Sequence, residues 1–373
     1  MTLLASLLIT GKHIYALTLG IFGIGFLITI HETGHFLFCK LFNVNTPSFS
    51  IGFGPQILKK KIGNTVFSLS AIPMGGYVEI AGVEEIGQGE QKESKRQDQY
   101  SFSSKPYYQK ILIMAGGIIV NILFTYLVFI LLFATGIPKT PIFSQTITTQ
   151  VQSIAKNSAA QNAGLQANDV IVALNNAQVS SGAELFTLLR KNSDQTITLT
   201  YKRAEQEHTI KITPEKNKFG ILPALKNIPA KSFGQAIKSG FNATNKLLKN
   251  TLGFYGSLFS KKTFSQVGGP LMIVSEIVKS AHQGFKIYIL ILAIISASLA
   301  VLNILPLPIL DGGQILIYTI EAIIGKTISE TFKLYAAYAT WIAIIALTLY
   351  LTYKDLLRII GPGIIIVLGS IFG

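Results

Sequence analysis

Two histidines and a glutamate sit where almost every neighbour is apolar: Phe26-Leu-Ile-Thr-Ile-His31-Glu32-Thr33-Gly34-His35-Phe36-Leu-Phe38, in a run that extends back to Ile14. The run has the length and composition of a membrane span. A charged side chain near the centre of a span costs roughly 2.5–3.5 kcal/mol on insertion scales, so ionisable groups there mark a functional site by default. At 3.6 residues per turn His31 and His35 share one helical face, one turn apart, where both imidazoles can reach a single metal ion. On a water-soluble helix the same His-Glu-x-x-His pattern has an ordinary alternative, a solvated polar face. Inside an apolar run that alternative is largely closed.

Composition agrees. Of 373 residues 49% are hydrophobic and only 13% charged, about half the charged fraction usual in soluble proteins. The net charge of +14 is concentrated in loops and one amphipathic segment, which suits an anionic lipid surface and not nucleic acid. A single cysteine, Cys39, excludes an internal disulfide and a cysteine-based zinc site. Met1–Ile9 lacks the basic start of a cleavable signal peptide, and the segment after it carries the histidine motif, so it is expected to be retained.

The chain is expected to be a polytopic α-helical membrane protein with about four transmembrane helices, a membrane-associated β-hairpin and one α+β soluble domain. The first membrane half, 1–136, holds a span at Ile14–Phe38 and a hairpin whose strands Gln56–Ile62 and Thr65–Ile72 flank Gly63-Asn64. Pro73-Met-Gly-Gly76 ends the second strand. A hairpin this apolar at membrane depth must be covered by protein or line a wet cavity; a surface hairpin is the alternative. The second span, Tyr108–Thr135, contains Gly116-Gly117-Ile-Ile-Val-Asn121, where Asn121 serves either helix packing or the site.

Residues 140–220 change character. Val151–Ile154, Asp169–Leu174 and Gln195–Tyr201 read as strands and Ala183–Arg190 as a helix capped by Ser180 or Ser181. The linker 228–284 carries an amphipathic helix over Lys231–Lys262, lying on the membrane or against the soluble domain, with a buried structural helix as the alternative. The second membrane half, 285–355, has spans at Ile287–Leu305 and Ala336–Leu351. Between them lies Asn303-Ile-Leu-Pro306-Leu-Pro308-Ile-Leu-Asp311-Gly312-Gly313. The tail 356–373 is apolar but short, and reads as interfacial or re-entrant.

A catalytic zinc site takes three protein ligands and leaves one position open. His31 and His35 supply two. His13, His208 and His282 fall at a span edge, in the soluble domain and in a loop. Asp311 is the one acid near membrane depth and the better third ligand. Glu32, beside His31, is then placed to act as general base in peptide-bond hydrolysis. A helical substrate must be unwound first, and the hairpin offers an edge strand to hold it.

In their order along the chain, His31-Glu32-Thr33-Gly34-His35 and Asn303-Ile-Leu-Pro306-Leu-Pro308-Ile-Leu-Asp311-Gly312 resemble the site-2 protease family of intramembrane zinc metalloproteases. The Gly117–Asn121 GxxxN pattern and Ile72-Pro-Met-Gly-Gly76-Tyr-Val78 are similar to that family too. Ser158-Ala-Ala-Gln-Asn-Ala-Gly164-Leu165-Gln-Ala-Asn-Asp169-Val-Ile171 resembles a bacterial PDZ domain, with Asn168 where glycine is usual. Gln314 stands where relatives often carry histidine.

The resemblance implies one Zn2+ on His31, His35 and Asp311, with Glu32 as base. It implies a substrate channel shaped by Asn303, Pro306, Pro308, Gly117 and Asn121. It further implies substrates that are single-span membrane proteins, such as a trimmed anti-sigma factor or a remnant signal peptide. The setting it implies is a bacterial inner (plasma) membrane, with the PDZ-like domain extracytoplasmic and the metal towards the cytoplasm. Loop charges only weakly constrain that orientation. An inactive PDZ-bearing scaffold would need a broken ligand set, and all four residues are present. A transporter would need more spans and paired broken helices.

Overall fold

The computed structural model describes residues 2–84, 91–136, 146–192, 195–213, 219–226, 232–257, 260, 264 and 267–372. The chain divides into two compact units, one formed by Met1–Leu131 with Gly240–Gly373 and the other by Leu132–Ser239.

Among the described residues four helices are long and apolar enough to cross a membrane: Thr18–Leu41, Gly116–Thr135, Phe285–Asn303 and Glu330–Arg358. The first belongs to a longer helix, α1 (Thr2–Leu41), which starts well before Ile14 because no proline interrupts the intervening residues. The hairpin follows as β1 (Ser48–Ile62) and β2 (Thr65–Val78). Both strands are longer than expected, and the register explains why. Ile62 pairs with Thr65 back to Gln56 with Ser70, the expected ribbon. In addition Val66 pairs with Ser48 as well as Lys61, and Ile51 pairs with Gly76. Pro73–Gly76 therefore bends β2 and does not end it. Gly75, at φ +110, has the Phe53 ring where a Cβ would be, so only glycine fits.

The hairpin's aromatic face packs on α1: Phe36 meets Phe49 and Phe67 edge-on at 5.5 and 5.6 Å. Two buried hydroxyls beneath are paired, Thr65 Oγ1 accepting from Lys40 Nζ at 3.0 Å and bonding Thr46 Oγ1 at 3.1 Å. Covering by α1 is what a strand needs at membrane depth.

The second span is a helix pair, α2 (Tyr107–Met114) and α3 (Gly116–Thr135), interrupted at Ala115. Leu123, Leu127 and Leu131 on α3 are exposed at four-residue spacing, an apolar stripe suited to lipid.

In the second unit β3 (Thr146–Ile154), α4 (Ala159–Asn162), β4 (Val170–Leu174), β5 (Ala177–Gln178), α5 (Gly182–Lys191), β6 (Ile197–Arg203), β7 (Gln206–Ile212) and β8 (Ile221–Lys226) follow in order. The sheet runs β7-β6-β4-β3-β8, with β5 on β4. Ile171, Leu174, Leu185, Ile197 and Leu199 form its buried core. The expected strands and helix are present, and Ser181 is the N-cap of α5. β5, β7 and β8 were not expected. Asn168 has φ +74, the conformation for which glycine is the usual residue.

The amphipathic helix is α6 (Phe233–Gly256). Phe233, Ile237, Phe241 and Leu252 along it are exposed, while Ala236, Gly240 and Thr244 are buried, so one face is packed and another is free.

Four more helices follow among the described residues, of which only the two spans were expected. α7 (Pro270–Gln283) holds His282 in its last turn, where a loop was expected. α8 (Phe285–Asn303) is the third span, and α9 (Asp311–Ile324) starts at the aspartate of the Pro/Gly turn. Leu27, Ile277, Tyr288 and Leu292 join α1, α7 and α8 in one core. α10 (Glu330–Phe372) is continuous, so the tail 356–373 is the end of the last helix and not a separate re-entrant segment. Buried Asp355 on α10 accepts the backbone N–H groups of Gly269 and Met272 at 3.0 and 3.1 Å, capping α7 from another helix.

Candidate metal centre

The site begins with a close crossing of two backbones. A Cβ on Gly34 would collide with the carbonyl of Gly116, and one on Gly116 would lie 2.6 Å from the Gly34 oxygen. α1 and α3 therefore touch main chain to main chain, as small residues permit between membrane helices. One residue on, a Cβ on Gly117 would come within 2.6 Å of His35 Nε2 and collide with the His31 ring. The bare face of α3 is the wall against which both imidazoles stand.

The rings are 4.8 Å apart, nearly perpendicular, with Nε2 atoms separated by 3.2 Å. His35 is fixed from behind. The break at Ala115 leaves the Ile113 carbonyl at a helix end, and His35 Nδ1 lies 2.9 Å from it. That bond requires Nδ1–H, which leaves the Nε2 lone pair facing the site.

Asp311 reaches the same point from the other half of the unit. Helix α8 stops at Asn303, and the chain then turns through Leu307 N–H to Leu305 O at 2.8 Å and Leu310 N–H to Leu307 O at 2.8 Å. Gln314 Nε2 donates to the Pro308 carbonyl at 2.7 Å, so the residue standing in place of a histidine braces this turn. Gly312 and Gly313 lie directly against the carbonyls of Ile304 and Leu307, with no room for a Cβ. This packing brings Asp311 Oδ2 to 3.2 Å from His31 Nε2 and Oδ1 to 3.5 Å from His35 Nε2.

These residues fit a metal. Ligand atoms of all three lie within 4.8 Å of one another. His31 Nε2 stands 3.2 Å from both His35 Nε2 and Asp311 Oδ2, close to the about 3.3 Å between corners of a tetrahedron with zinc–nitrogen and zinc–oxygen distances of ~2.0–2.1 Å, while His35 Nε2 approaches the other carboxylate oxygen, Oδ1, at 3.5 Å. Asp311 Oδ2 is buried and has no hydrogen-bond partner among the described residues, an arrangement that is costly unless a cation completes it.

Around the triad, Glu32 Oε2 accepts the Val78 backbone N–H at 3.1 Å, which ties α1 to the end of β2. Asn121 Nδ2 is placed 3.3 Å from His31 Nδ1 while its Oδ1 is buried without a partner. Amide oxygen and nitrogen are interchangeable in shape, and the reversed amide lets Oδ1 accept from His31 Nδ1–H. The Asn121 carbonyl accepts from Thr125 and Ser296 hydroxyls at 3.0 and 3.1 Å, so its backbone takes part in helix packing while its amide lies beside His31. Asn303 Nδ2 lies 3.4 Å from His31 Nε2. Pro306 and Pro308 shape the turn and do not reach the histidines through any recorded contact. Ile113 and Gly34 escaped the sequence reading. A backbone carbonyl carries no sequence signal, but Gly34 opposite Gly116-Gly117 was a visible pairing of small residues. The other histidines are elsewhere; His208 stacks on Tyr201 in the second unit.

Comparison with known proteins agrees with this geometry. The family described as Peptidase family M50 matches residues 19–347. A "putative zinc metalloprotease" of Campylobacter jejuni is 30% identical, the match covering 96% of this chain and 98% of that protein. One of the same description from Clostridium acetobutylicum is 29% identical over 91% of this chain and 97% of its own length. A chloroplastic "probable membrane metalloprotease" of Arabidopsis thaliana is 28% identical over 80% and 70%. The bare glycine wall, the turn that delivers Asp311 and the uncompensated carboxylate thus find their explanation: this chain belongs to peptidase family M50, the site-2 protease family, and is a multi-pass membrane zinc metalloprotease.

Proposed function

We propose that the protein is an intramembrane endopeptidase that cuts the transmembrane segments of single-span membrane proteins. One observation carries the reading: His31 and His35 lie inside a helix segment apolar enough to span a membrane, so a bond cut beside them is cut at membrane depth. His31, His35 and Asp311 are assigned as zinc ligands. Zinc, when bound there, supplies Lewis acidity to a substrate carbonyl and to water.

Glu32 is the general base. Val78 N–H holds Oε2, which orients the carboxylate and leaves Oε1 to take a proton from the attacking water and pass it to the leaving amide nitrogen. Asn303 presents an amide donor beside the ligand cluster, suited to the oxygen of the scissile carbonyl. Asn121 holds the His31 tautomer. Gly117 leaves the space in which the ligands stand, and Pro306 and Pro308 border the channel.

The small sheet provides the way to hold an unwound substrate. Gln56–Ile62 has strand partners on one side only, and Ile57, Leu58 and Ile62 along it are exposed. An extended peptide can add to such an edge through main-chain hydrogen bonds, which replace those lost when a helix unwinds. The second unit, approximately residues 140–220, we assign as a PDZ-like domain that screens substrates. With the family resemblance this points to a bacterial inner membrane, the PDZ-like domain outside and the metal towards the cytoplasm. Substrates of this kind include a trimmed anti-sigma factor or a remnant signal peptide.

The test is co-expression with a tagged single-span substrate. Glu32→Gln is expected to abolish cleavage, by at least about 10²-fold, while purified protein keeps its zinc. Undiminished cleavage would remove Glu32 as the base.

A further inference from the structure

Away from the ligand cluster, the first unit contains a cavity of about 220 Å3. Tyr107 and Lys110 of α2 form one side, Tyr318 and Glu321 of α9 another, and Lys326 with Thr327 close it. Its position along the chain fixes its level. α2 leads directly into the span Gly116–Thr135, and Lys326-Thr327 lie just before the span Glu330–Arg358. Two spans therefore enter the bilayer beside it, and tyrosines and lysines at that level mark the boundary between water and lipid.

The charges in the cavity do not balance internally. Glu321 is already committed: it accepts from Lys333 Nζ at 2.8 Å and from the Ile328 backbone N–H at 2.9 Å. Lys333 in turn also bonds Glu330 at 3.0 Å. Lys110 is half-buried, with its ammonium 5.8 Å from the Phe102 ring centre and 5.9 Å from that of Tyr318. Neither the Lys110 nor the Lys326 ammonium has a hydrogen bond or ion pair among the described residues; Glu321 acts on Lys110 only from a distance and is bonded to Lys333. Two aromatic faces partly stabilise an ammonium, but they do not replace the counter-ion a partly buried cation calls for. Tyr107, bonded to Thr319 through hydroxyls at 3.0 Å, adds an O–H at the rim. Two ammonium groups and hydroxyls around a small cavity suit a phosphate ester.

The adjoining surface separates a lipid from a free ion. Ile323 and Ile324, in the last turn of α9, and Phe332 at the start of α10 are 79%, 61% and 61% exposed. Ile323 and Ile324 adjoin the cavity residues Ala322 and Gly325 in sequence, and Phe332 adjoins Lys333, which bonds Glu321 of the cavity; exposed apolar side chains so placed suit acyl chains and not inorganic phosphate. We infer that this cavity is a binding site for an anionic phospholipid, with the headgroup phosphate between Lys110 and Lys326 and the acyl chains along Ile323, Ile324 and Phe332. Nothing in it draws on the ligand cluster, so it stands or falls independently of the protease reading.

The test is native mass spectrometry of the full-length protein in detergent, with phosphatidylglycerol, phosphatidylcholine or inorganic phosphate added. The wild type is expected to retain one phosphatidylglycerol and no phosphatidylcholine. Lys110→Gln with Lys326→Gln should cut that retention at least about tenfold, and Lys110→Arg should keep it. Zinc content of the same samples reports whether the fold survives. If the double variant loses zinc, Lys326→Gln alone, at an exposed position, carries the test with a drop of about threefold to fivefold. Equal retention in wild type and variant overturns the site, as does equal retention of both lipids. Stoichiometric binding of inorganic phosphate that displaces phosphatidylglycerol at millimolar concentration overturns the lipid assignment.

Discussion

Asp169 in the second unit and Asp311 in the first are both carboxylates withdrawn from water where a regular element begins, β4 just after Asp169 and α9 at Asp311 itself, and they are treated in opposite ways. Asp169 is 1% exposed and fully answered. Arg203 donates to both of its oxygens at 2.8 Å, and the Gln166 N–H adds a third bond at 2.7 Å. Asp311 faces two imidazole nitrogens with one oxygen unpartnered. A buried acid that is satisfied within the chain stabilises a fold; one left unsatisfied, in a turn held by two glycines and a glutamine, is kept for something the chain does not contain. The difference separates an aspartate satisfied within the chain from one that we propose as a metal ligand, without reference to any motif.

Substitution should split the two cleanly, and Asp311 should show the larger effect. Asp311→Ala is expected to take bound zinc from near one per chain to near none and proteolysis with it, while the second unit melts unchanged. Stoichiometric zinc in that variant would end its role as a ligand. Asn121→Ala removes the partner of a ligand and not the ligand, so zinc affinity should fall by ~10–100-fold. Asn121→Asp, which still accepts from His31 Nδ1–H, should recover most of it; a purely structural Asn121 predicts no such recovery. Asp169→Ala should reverse the pattern. Zinc stays, and the second unit loses about 1–3 kcal/mol as the Gln166 N–H and the Arg203 guanidinium lose their acceptor, measured by urea unfolding.

How far these roles were legible beforehand follows the same division. His31, His35 and Asp311 could be read because ionisable residues in apolar surroundings are rare, and their rarity is itself the signal. The periodic strands around Ile171 and Leu199 were legible through alternation. The bend of β2 was not, since Pro73-Met-Gly-Gly76 is equally good punctuation for a strand end and a bulge. α9 was hidden behind two prolines and two glycines, although Gly312 and Gly313 are there for close packing and not to break a helix. The tail beyond Leu356 failed for a related reason: Gly361-Pro362-Gly363 argues for a break on propensity alone, and a helix already running can carry through it. Asn121 was left between two readings because different atoms of it face different ways, its backbone carbonyl towards the Thr125 and Ser296 hydroxyls and its amide towards His31.

The smallest effect concerns pH and isolates Asp169 most directly. Burial opposes its charge, but the bonds from Arg203 and Gln166 outweigh that and hold its carboxyl below the ordinary 3.8. A carboxyl lowered in the folded state contributes stability that is fully present above its unfolded value. That contribution is lost as pH falls through the folded one. Stability of the second unit should therefore be flat from neutrality down to about pH 5 and decline below about pH 4. Glu184 is also held low, by the Ser180 amide and hydroxyl, and titrates over the same interval. The informative quantity is thus the difference between wild type and Asp169→Asn, followed by hydrogen exchange at Ile171 and Leu199 corrected for intrinsic rates. Asp169→Asn should start less stable and lose less on acidification, so that the two curves converge at low pH. Parallel curves would mean that Arg203 does not stabilise the charged form, and the contrast with Asp311 would then rest on burial alone.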